Sequence, residues 1–203
     1  MAVRGLAVTP RLFIHVPKTA GNSIMRALGL DPENPADFVH GHNTRYEDYI
    51  FFKNTVRYRD QFTFCFVRNP WDRVVSAYHY LQAGGLNEDD ARDARQFVAP
   101  HTHFKQFVRR GRWKSGLLQQ IHFRPQYEWC VSRRGALPDF VGRFENLQAD
   151  FNHVCERIGI EPVTLPHSNK AKHAHYSKYY DRRTSAIVAK YYRKDIDYFG
   201  YTF

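Results

Sequence analysis

The sequence predicts an α/β fold with a central parallel sheet flanked by helices, and three observations carry that expectation. Two β-prone runs, residues 11–16 and 61–67, are each followed by a short loop and then a helical pattern. One more short β run and further helical spacing follow towards the C-terminus, so strands and helices alternate along the chain. The chain has 203 residues, 43% of them hydrophobic, with 16 Phe and 13 Tyr, which suits one compact unit, residues 1–203, with a sizeable core.

Each element has a local reason. Residues 11–16 (RLFIHV) form a β-prone run that stops at Pro17, and residues 22–28 place Ile24, Ala27 and Leu28 on one side of a helix that ends before Gly29. Residues 61–67, rich in Phe and Val, read as a buried strand. In the following Arg68-Asn69-Pro70-Trp71-Asp72, Asn69 is a good N-cap. Pro70 suits the first helical position, where its missing N–H costs nothing. That helix is expected to reach about Leu81, with Val74, Val75, Tyr78 and Leu81 as its apolar stripe. Residues 84–90 are a polar break, and residues 91–134 read as mostly helical, interrupted near Pro100 and Pro125. Residues 140–144 suit a short strand. Residues 147–158 put Phe151, Val154, Cys155 and Ile158 at helical spacing ahead of a Gly159 stop. Asp181 is placed to cap a last helix reaching Lys194, and an aromatic tail ends the chain. No repeat and no low-complexity tract interrupts this order.

Composition excludes several classes. The longest apolar runs, such as residues 64–67, fall far short of the roughly 20 residues of a spanning helix, so no membrane span is expected. The first ten residues lack a secretory apolar region. Three widely spaced cysteines (Cys65, Cys130, Cys155) without a CxxC pair argue against a disulfide scaffold or a zinc ribbon, and a reducing, cytoplasmic setting is expected. The net charge of +10 is concentrated late: residues 104–203 carry 18 basic and 9 acidic side chains, and residues 105–114 hold five bases and no acid. Such a field favours an anionic partner or a solvated basic face, and charge alone does not choose between them.

Two strand–loop–helix corners carry the chemistry. In the first, HVPKTAGNS (residues 15–23), a tight loop, a helix N-terminus, Lys18 and the hydroxyls of Thr19 and Ser23 suit an anion. Gly21 there is expected to let the backbone approach a ligand. An ordinary βα turn with a surface lysine is the plainer reading. The Walker A pattern GxxxxGK[ST] is absent, and Lys18 precedes the glycine. In the second, FVRNPWDRVVSAY (residues 66–78), Arg68 stands at the strand end and Ser76 two turns into the helix. Together they can hold a phosphate by charge-assisted hydrogen bonds, or serve as a salt-bridge partner and a helix hydroxyl.

Taken together, HVPKTAGNS and VRNPWDRVVSAY resemble the paired phosphate-binding loops of sulfotransferases that use 3′-phosphoadenylyl sulfate (PAPS), in the glycan-modifying branch typified by uronyl and heparan sulfate 2-O-sulfotransferases. The resemblance implies a P-loop-like three-layer fold. It also implies that Pro17, Lys18, Thr19, Ala20, Gly21, Asn22 and Ser23 hold the 5′-phosphosulfate, and that Arg68 and Ser76 hold the 3′-phosphate. The family often has Thr where this chain has Asn22. HGHNTRY (residues 40–46) resembles the segment carrying the catalytic histidine, with His42 as the base and His40 as its supporting partner. RFENL (residues 143–147), PHSNKAK (residues 166–172) and the ending YYRKDIDYFGYTF also resemble the family. The segment around residues 166–173 is implied as a lid, with Lys170 and Lys172 near the nucleotide phosphates.

The expected reaction is in-line sulfuryl transfer from PAPS to an acceptor hydroxyl, releasing adenosine 3′,5′-bisphosphate (PAP), with no metal required. A histidine near its ordinary pKa of about 6.5 suits the base, and Lys18 suits the charge growing on the phosphate–sulfate bridge. No third ligand stands at metal spacing from the HxH pair. The acceptor is expected to be a carbohydrate or another small molecule, not nucleic acid, and Arg109 and Arg110 in the basic patch suit an acidic glycan. The family's eukaryotic members carry a Golgi anchor, which is not seen here. The competing readings are a P-loop kinase using ATP and Mg²⁺, which lacks its GK[ST] motif here, and a non-catalytic polyanion or nucleotide binder. The oligomeric state is not legible.

Overall fold

The structure, a computed structural model, describes residues 9–30, 61–132, 134–165 and 174–203 and the backbone of 38–39. In chain order the elements are β1 (Arg11–Ile14), α1 (Gly21–Leu28), β2 (Phe38–Val39), β3 (Phe62–Val67), α2 (Pro70–Gln82), α3 (Glu88–Asp93), α4 (Phe104–Arg110), α5 (Tyr127–Cys130), β4 (Phe140–Arg143), α6 (Leu147–Ile158), α7 (Arg182–Tyr191) and α8 (Arg193–Phe199). A π-helical turn covers Ala94–Val98, and short 3₁₀ turns cover Leu117–Gln119, Phe144–Asn146 and Tyr176–Tyr179. The chain forms two compact units: residues 1–67 with 128–168, and residues 68–127 with 169–203.

The first unit is built on a four-stranded, all-parallel sheet in the order β2-β1-β3-β4. Phe13 pairs with Phe64 across β1 and β3, and Phe64 with Phe140 across β3 and β4. Alternation along β3 sends Phe62, Phe64 and Phe66 to one face. There they join Phe13, Ile24 and Leu28 of α1, and Phe151, Val154, Cys155 and Ile158 of α6 in one core. Phe13 and Phe64 stack at 5.1 Å, and Phe66 meets Phe64 edge-on at 6.4 Å. Every residue of β3 is buried, so both faces are covered, as a parallel sheet requires. At the start of β4, the Asp139 carboxylate accepts from the Thr63 N–H (2.8 Å) and hydroxyl (2.6 Å), which pins the β3–β4 register.

The chain leaves β1 towards β2 on one side, then crosses to β3 on the other and continues to β4. Connections therefore diverge between β1 and β3, the topological switch point of this sheet. Ligands of such sheets bind beyond the carboxyl ends of the strands at that point.

The second unit is helical around an aromatic core. Tyr78 of α2 packs on Phe104 and Phe107 of α4, each at 5.2 Å, and Phe107 meets Phe123 at 5.4 Å. Trp113 stacks on Tyr191 of α7 at 5.1 Å. The polar tips are satisfied: Tyr192 donates to the Phe123 carbonyl (2.5 Å), Tyr180 to that of Trp71 (2.9 Å), and Trp113 Nε1 to that of Val108 (2.9 Å). Such rings bury large apolar area without orphaning a donor.

Most expected elements are present, with three differences. Residues 91–134 are short helical pieces instead of mostly helix, because Pro100, Gly111, Gly116 and Pro125 break the path repeatedly. The C-terminal helix capped by Asp181 stops at Tyr191 and resumes at Arg193, since Tyr192 turns inward and is fully buried. Two-residue β2 has no periodicity from which it can be read.

Candidate functional site

The first corner belongs to the first unit. β1 delivers His15 and Val16 into the loop, and Lys18 (φ 71°) and Ala20 (φ 69°) both adopt left-handed backbone. They are the non-glycine residues with positive φ among the described residues. This conformation is costly for side chains with a Cβ, and such cost clusters at functional sites. Thr19 lies between them, fully buried, and its hydroxyl donates to the Val16 carbonyl at 2.7 Å, closing the loop on itself. Its one proton is engaged there, so in this arrangement the hydroxyl fastens the loop, and an anion would have to compete with Val16 for that proton.

Ala20 then caps α1 through its carbonyl, which accepts from the N–H groups of Ser23 (3.0 Å) and Ile24 (3.2 Å). No acidic residue occupies the first turn of α1 and no side chain caps its end, so the positive end of the helix keeps its attraction for an anion. At the far end, Arg11 donates to the Leu28 carbonyl at 3.0 Å and Gly29 ends the helix. Ser23 is buried and Asn22 exposed on the first turn.

Gly21 has a second reason to be glycine, beside the ligand approach expected of it. A Cβ there would lie 1.9 Å from Nε2 of His15, so the glycine makes room for the imidazole, which stacks on Phe13 at 5.7 Å. Gly21→Ala is expected to push the buried ring off that stack and destabilise the protein by about 1–3 kcal/mol. Urea unfolding of the variant checks this, and an unchanged midpoint and slope would contradict it.

The second corner belongs to the second unit. Asn69 caps α2 as expected: Oδ1 accepts from the N–H of Trp71 (3.0 Å) and Asp72 (3.5 Å), with Pro70 at the first helical position. Its amide donates to the Thr202 carbonyl (3.0 Å), which ties the aromatic tail to this helix start. Val74, Val75, Tyr78 and Leu81 are buried, as their stripe predicts. Trp71 is buried, its indole N–H donating to the Ser185 carbonyl at 2.9 Å.

Arg68 is only 7% exposed, and its Nε donates to Asp72 Oδ2 at 2.8 Å. Asp72 and Ser76 are four residues apart and share one face of α2, so the carboxylate that holds Arg68 lies on the face that carries Ser76. The Arg68 peptide is bracketed by Gln126: its N–H donates to Oε1 (2.8 Å) and its carbonyl accepts from Nε2 (2.8 Å). Sequence reasoning missed Gln126 and the Asp195 behind it, because nothing local marks either residue.

Of the basic patch, Arg109 is held by Asp181, with Nη2 at 2.6 Å from Oδ2, and Lys105 approaches the same carboxylate at 3.9 Å. The run with no acid in sequence thus acquires one through folding. Hydrogen bonds from Thr184, together with Arg109 and Lys105, hold the Asp181 carboxyl down at about 2. Arg110 is exposed. His40, His42, Lys170 and Lys172 lie outside the described residues. Among the described residues, no helix is long and apolar enough to cross a membrane, and no group of three or more His, Cys, Asp or Glu is placed to hold a metal ion.

Comparison with known proteins follows the same lines. A profile described as "Sulfotransferase family" matches residues 10–202. An uncharacterized protein of Archaeoglobus fulgidus is 31% identical over 115 residues, covering 57% of this chain and 82% of that protein. Carbohydrate sulfotransferase 14 of Mus musculus and of Homo sapiens are each 28% identical over 177 residues, covering 74% of this chain but 45% of theirs. The chain therefore matches less than half the length of these two relatives. No solved structure gives a significant match.

Proposed function

Because the chain belongs to the sulfotransferase family, and so is a transferase of sulfuryl groups, we propose that its donor is PAPS and its acceptor a carbohydrate hydroxyl. The observation that carries the donor assignment is the loop at Lys18 and Ala20. Two left-handed residues follow a parallel strand at the switch point of its sheet and feed a helix with an uncompensated N-terminus. That is a cradle for a phosphate-type anion. The likeness to carbohydrate sulfotransferase 14 supports the acceptor class.

In this reading, Pro17 shapes the loop whose backbone N–H groups from Lys18 to Ser23 receive the 5′ end of the donor, and Arg68 and Ser76 receive the 3′-phosphate. His42, with His40 two positions earlier as its supporting partner, takes the proton of the acceptor hydroxyl. The acceptor oxygen forms the new bond to sulfur as the bond from sulfur to the bridging phosphate oxygen breaks, and that electron pair leaves on PAP. Lys18 stabilises the charge that accumulates on the bridging oxygen. Lys170 and Lys172 add charge near the phosphates, and Arg110 is the better candidate of the patch pair for an acidic acceptor, since Arg109 already pairs with Asp181. No step needs a metal. All 203 residues act as one sulfotransferase domain.

The test is calorimetric titration with PAP in metal-free buffer. Arg68→Ala removes a charge-assisted contact to the 3′-phosphate and is expected to weaken PAP binding by about 10–100-fold. Unchanged PAP affinity in a folded Arg68→Ala protein would remove Arg68 from the site.

A further inference from the structure

A second layer of residues stands behind Arg68, all of them within the second unit. The side chain of Gln126 is fully buried, and its amide makes the two complementary hydrogen bonds to the Arg68 peptide described above. A side-chain amide used in this way acts like one rung of a β-ladder, placed where β3 has ended. Gln126 is itself held. Its backbone N–H donates to Asp195 Oδ2 at 2.9 Å, its Nε2 donates to the same oxygen at 3.3 Å, and the Tyr127 N–H donates to Asp195 Oδ1 at 3.0 Å. Asp195, on α8, is fully buried. Burial pushes its carboxyl up to about 6, against the pull of these donors and of the Arg73 guanidinium on α2. A carboxylate is costly at such depth unless its donors are fixed, which makes this a rigid anchor.

We propose that Gln126 and Asp195 are positioning residues that set the backbone of Arg68, and through it the reach of its guanidinium, for the 3′-phosphate of the nucleotide. The inference rests on the PAPS reading above. Two hydrogen-bonded steps run from α8 through Gln126 to the Arg68 peptide, and the Asp72 pair then fixes Nε at the far end of the side chain. Both ends of Arg68 are thereby held, the peptide by the buried Gln126 amide and the side chain by the partly exposed Asp72, leaving little freedom in where its charge points. Preorganisation of this kind lowers the ordering cost of binding. Neither residue touches the nucleotide in this account; each acts through Arg68.

The experiment uses two ligands and a double-mutant cycle. Gln126→Leu keeps the approximate volume and removes both bonds to the Arg68 peptide. It is expected to weaken PAP binding by about tenfold and to leave AMP, which lacks the 3′-phosphate, bound as in the wild type. In an Arg68→Ala background, Gln126→Leu should change PAP affinity no further, because the group through which it acts is gone. A purely structural role would weaken PAP and AMP alike and would add to Arg68→Ala; that result overturns the proposal. If Gln126→Leu fails to fold, Asp195→Asn, isosteric but with one acceptor oxygen replaced by a donor, is read with the same ligand pair and the same criteria. Wild-type protein that binds neither nucleotide would instead overturn the PAPS reading, so the two failures are distinguishable.

Discussion

Lys18→Ala is expected to slow sulfuryl transfer by about 10²–10³-fold, the usual cost of removing one preorganised group that meets charge developing in the transition state. The backbone argument makes this residue specific. Lys18 sits in left-handed conformation at φ 71°, a state that glycine adopts freely and lysine does not. The Thr19 hydroxyl bonded to Val16 holds the loop in place around it. Left-handed backbone at a non-glycine residue clusters at functional sites, which is the ground for testing Lys18 first. Labelled PAPS with a panel of desulfated uronic-acid glycans measures the rate, and PAP titration measures ground-state affinity. The expected pattern is a large fall in kcat with a smaller fall in PAP affinity. An equal fall in affinity with kcat preserved would make Lys18 a binding group only.

Asp90→Ala is expected to destabilise the protein by about 3–5 kcal/mol, because it breaks a buried polar cluster from one side. Asp90 accepts from His122 Nε2 (2.8 Å) through Oδ1, and from the Tyr80 hydroxyl and the Leu86 N–H (3.0 Å) through Oδ2. Gly85, at φ +71°, passes so close that a Cβ there would lie 2.1 Å from the Asp90 Cβ. Burial acts to raise the Asp90 carboxyl, but the bonds from His122, Tyr80 and Leu86 outweigh it and hold it well below the usual carboxylate range. Burial and the same aspartate push the Tyr80 phenol well up. A carboxyl depressed in the folded state stabilises above its unfolded pKa of about 4, and that stability is lost as pH falls towards the folded value. The gap in unfolding free energy between wild type and Asp90→Ala should therefore be full at pH 7 and shrink below pH 4. A gap independent of pH would place the effect in packing alone.

Tyr80 lies ten residues along α2 from Pro70, about 15 Å from the helix start at 1.5 Å per residue, whereas Arg68 precedes that start. A buried His–Asp pair so placed is a brace of the helical unit. The base we propose remains His42.

What the sequence discloses and what it hides follow one physical division. Asn69, Pro70 and the stripe of α2 are legible because capping and helical period act within a few residues. The αL glycines that end α1 and α6 are legible for the same reason. The longer strands, Phe62–Val67 foremost, show in β-branched and aromatic runs. Gln126 is hidden because it serves a peptide 58 residues away, and Asp195 because it serves one 69 residues away. Asp90 and His122 meet across 32 residues with no spacing that announces them. Gly21 is legible as a residue that must be small, but the crowding comes from His15, six positions earlier, whose ring direction only the fold sets. Arg109 reads as a free cation until folding brings Asp181 to it.

In the proposed function, this chain takes its donor as a 3′-phosphorylated adenine nucleotide. Calorimetric titration of the wild-type protein with PAP in metal-free buffer, beside ATP with Mg²⁺, tests it most directly. Saturable one-site binding of PAP without metal, and much weaker binding of ATP with Mg²⁺, is the predicted result. Tighter binding of ATP with Mg²⁺, or no binding of PAP by a folded sample, would contradict the account.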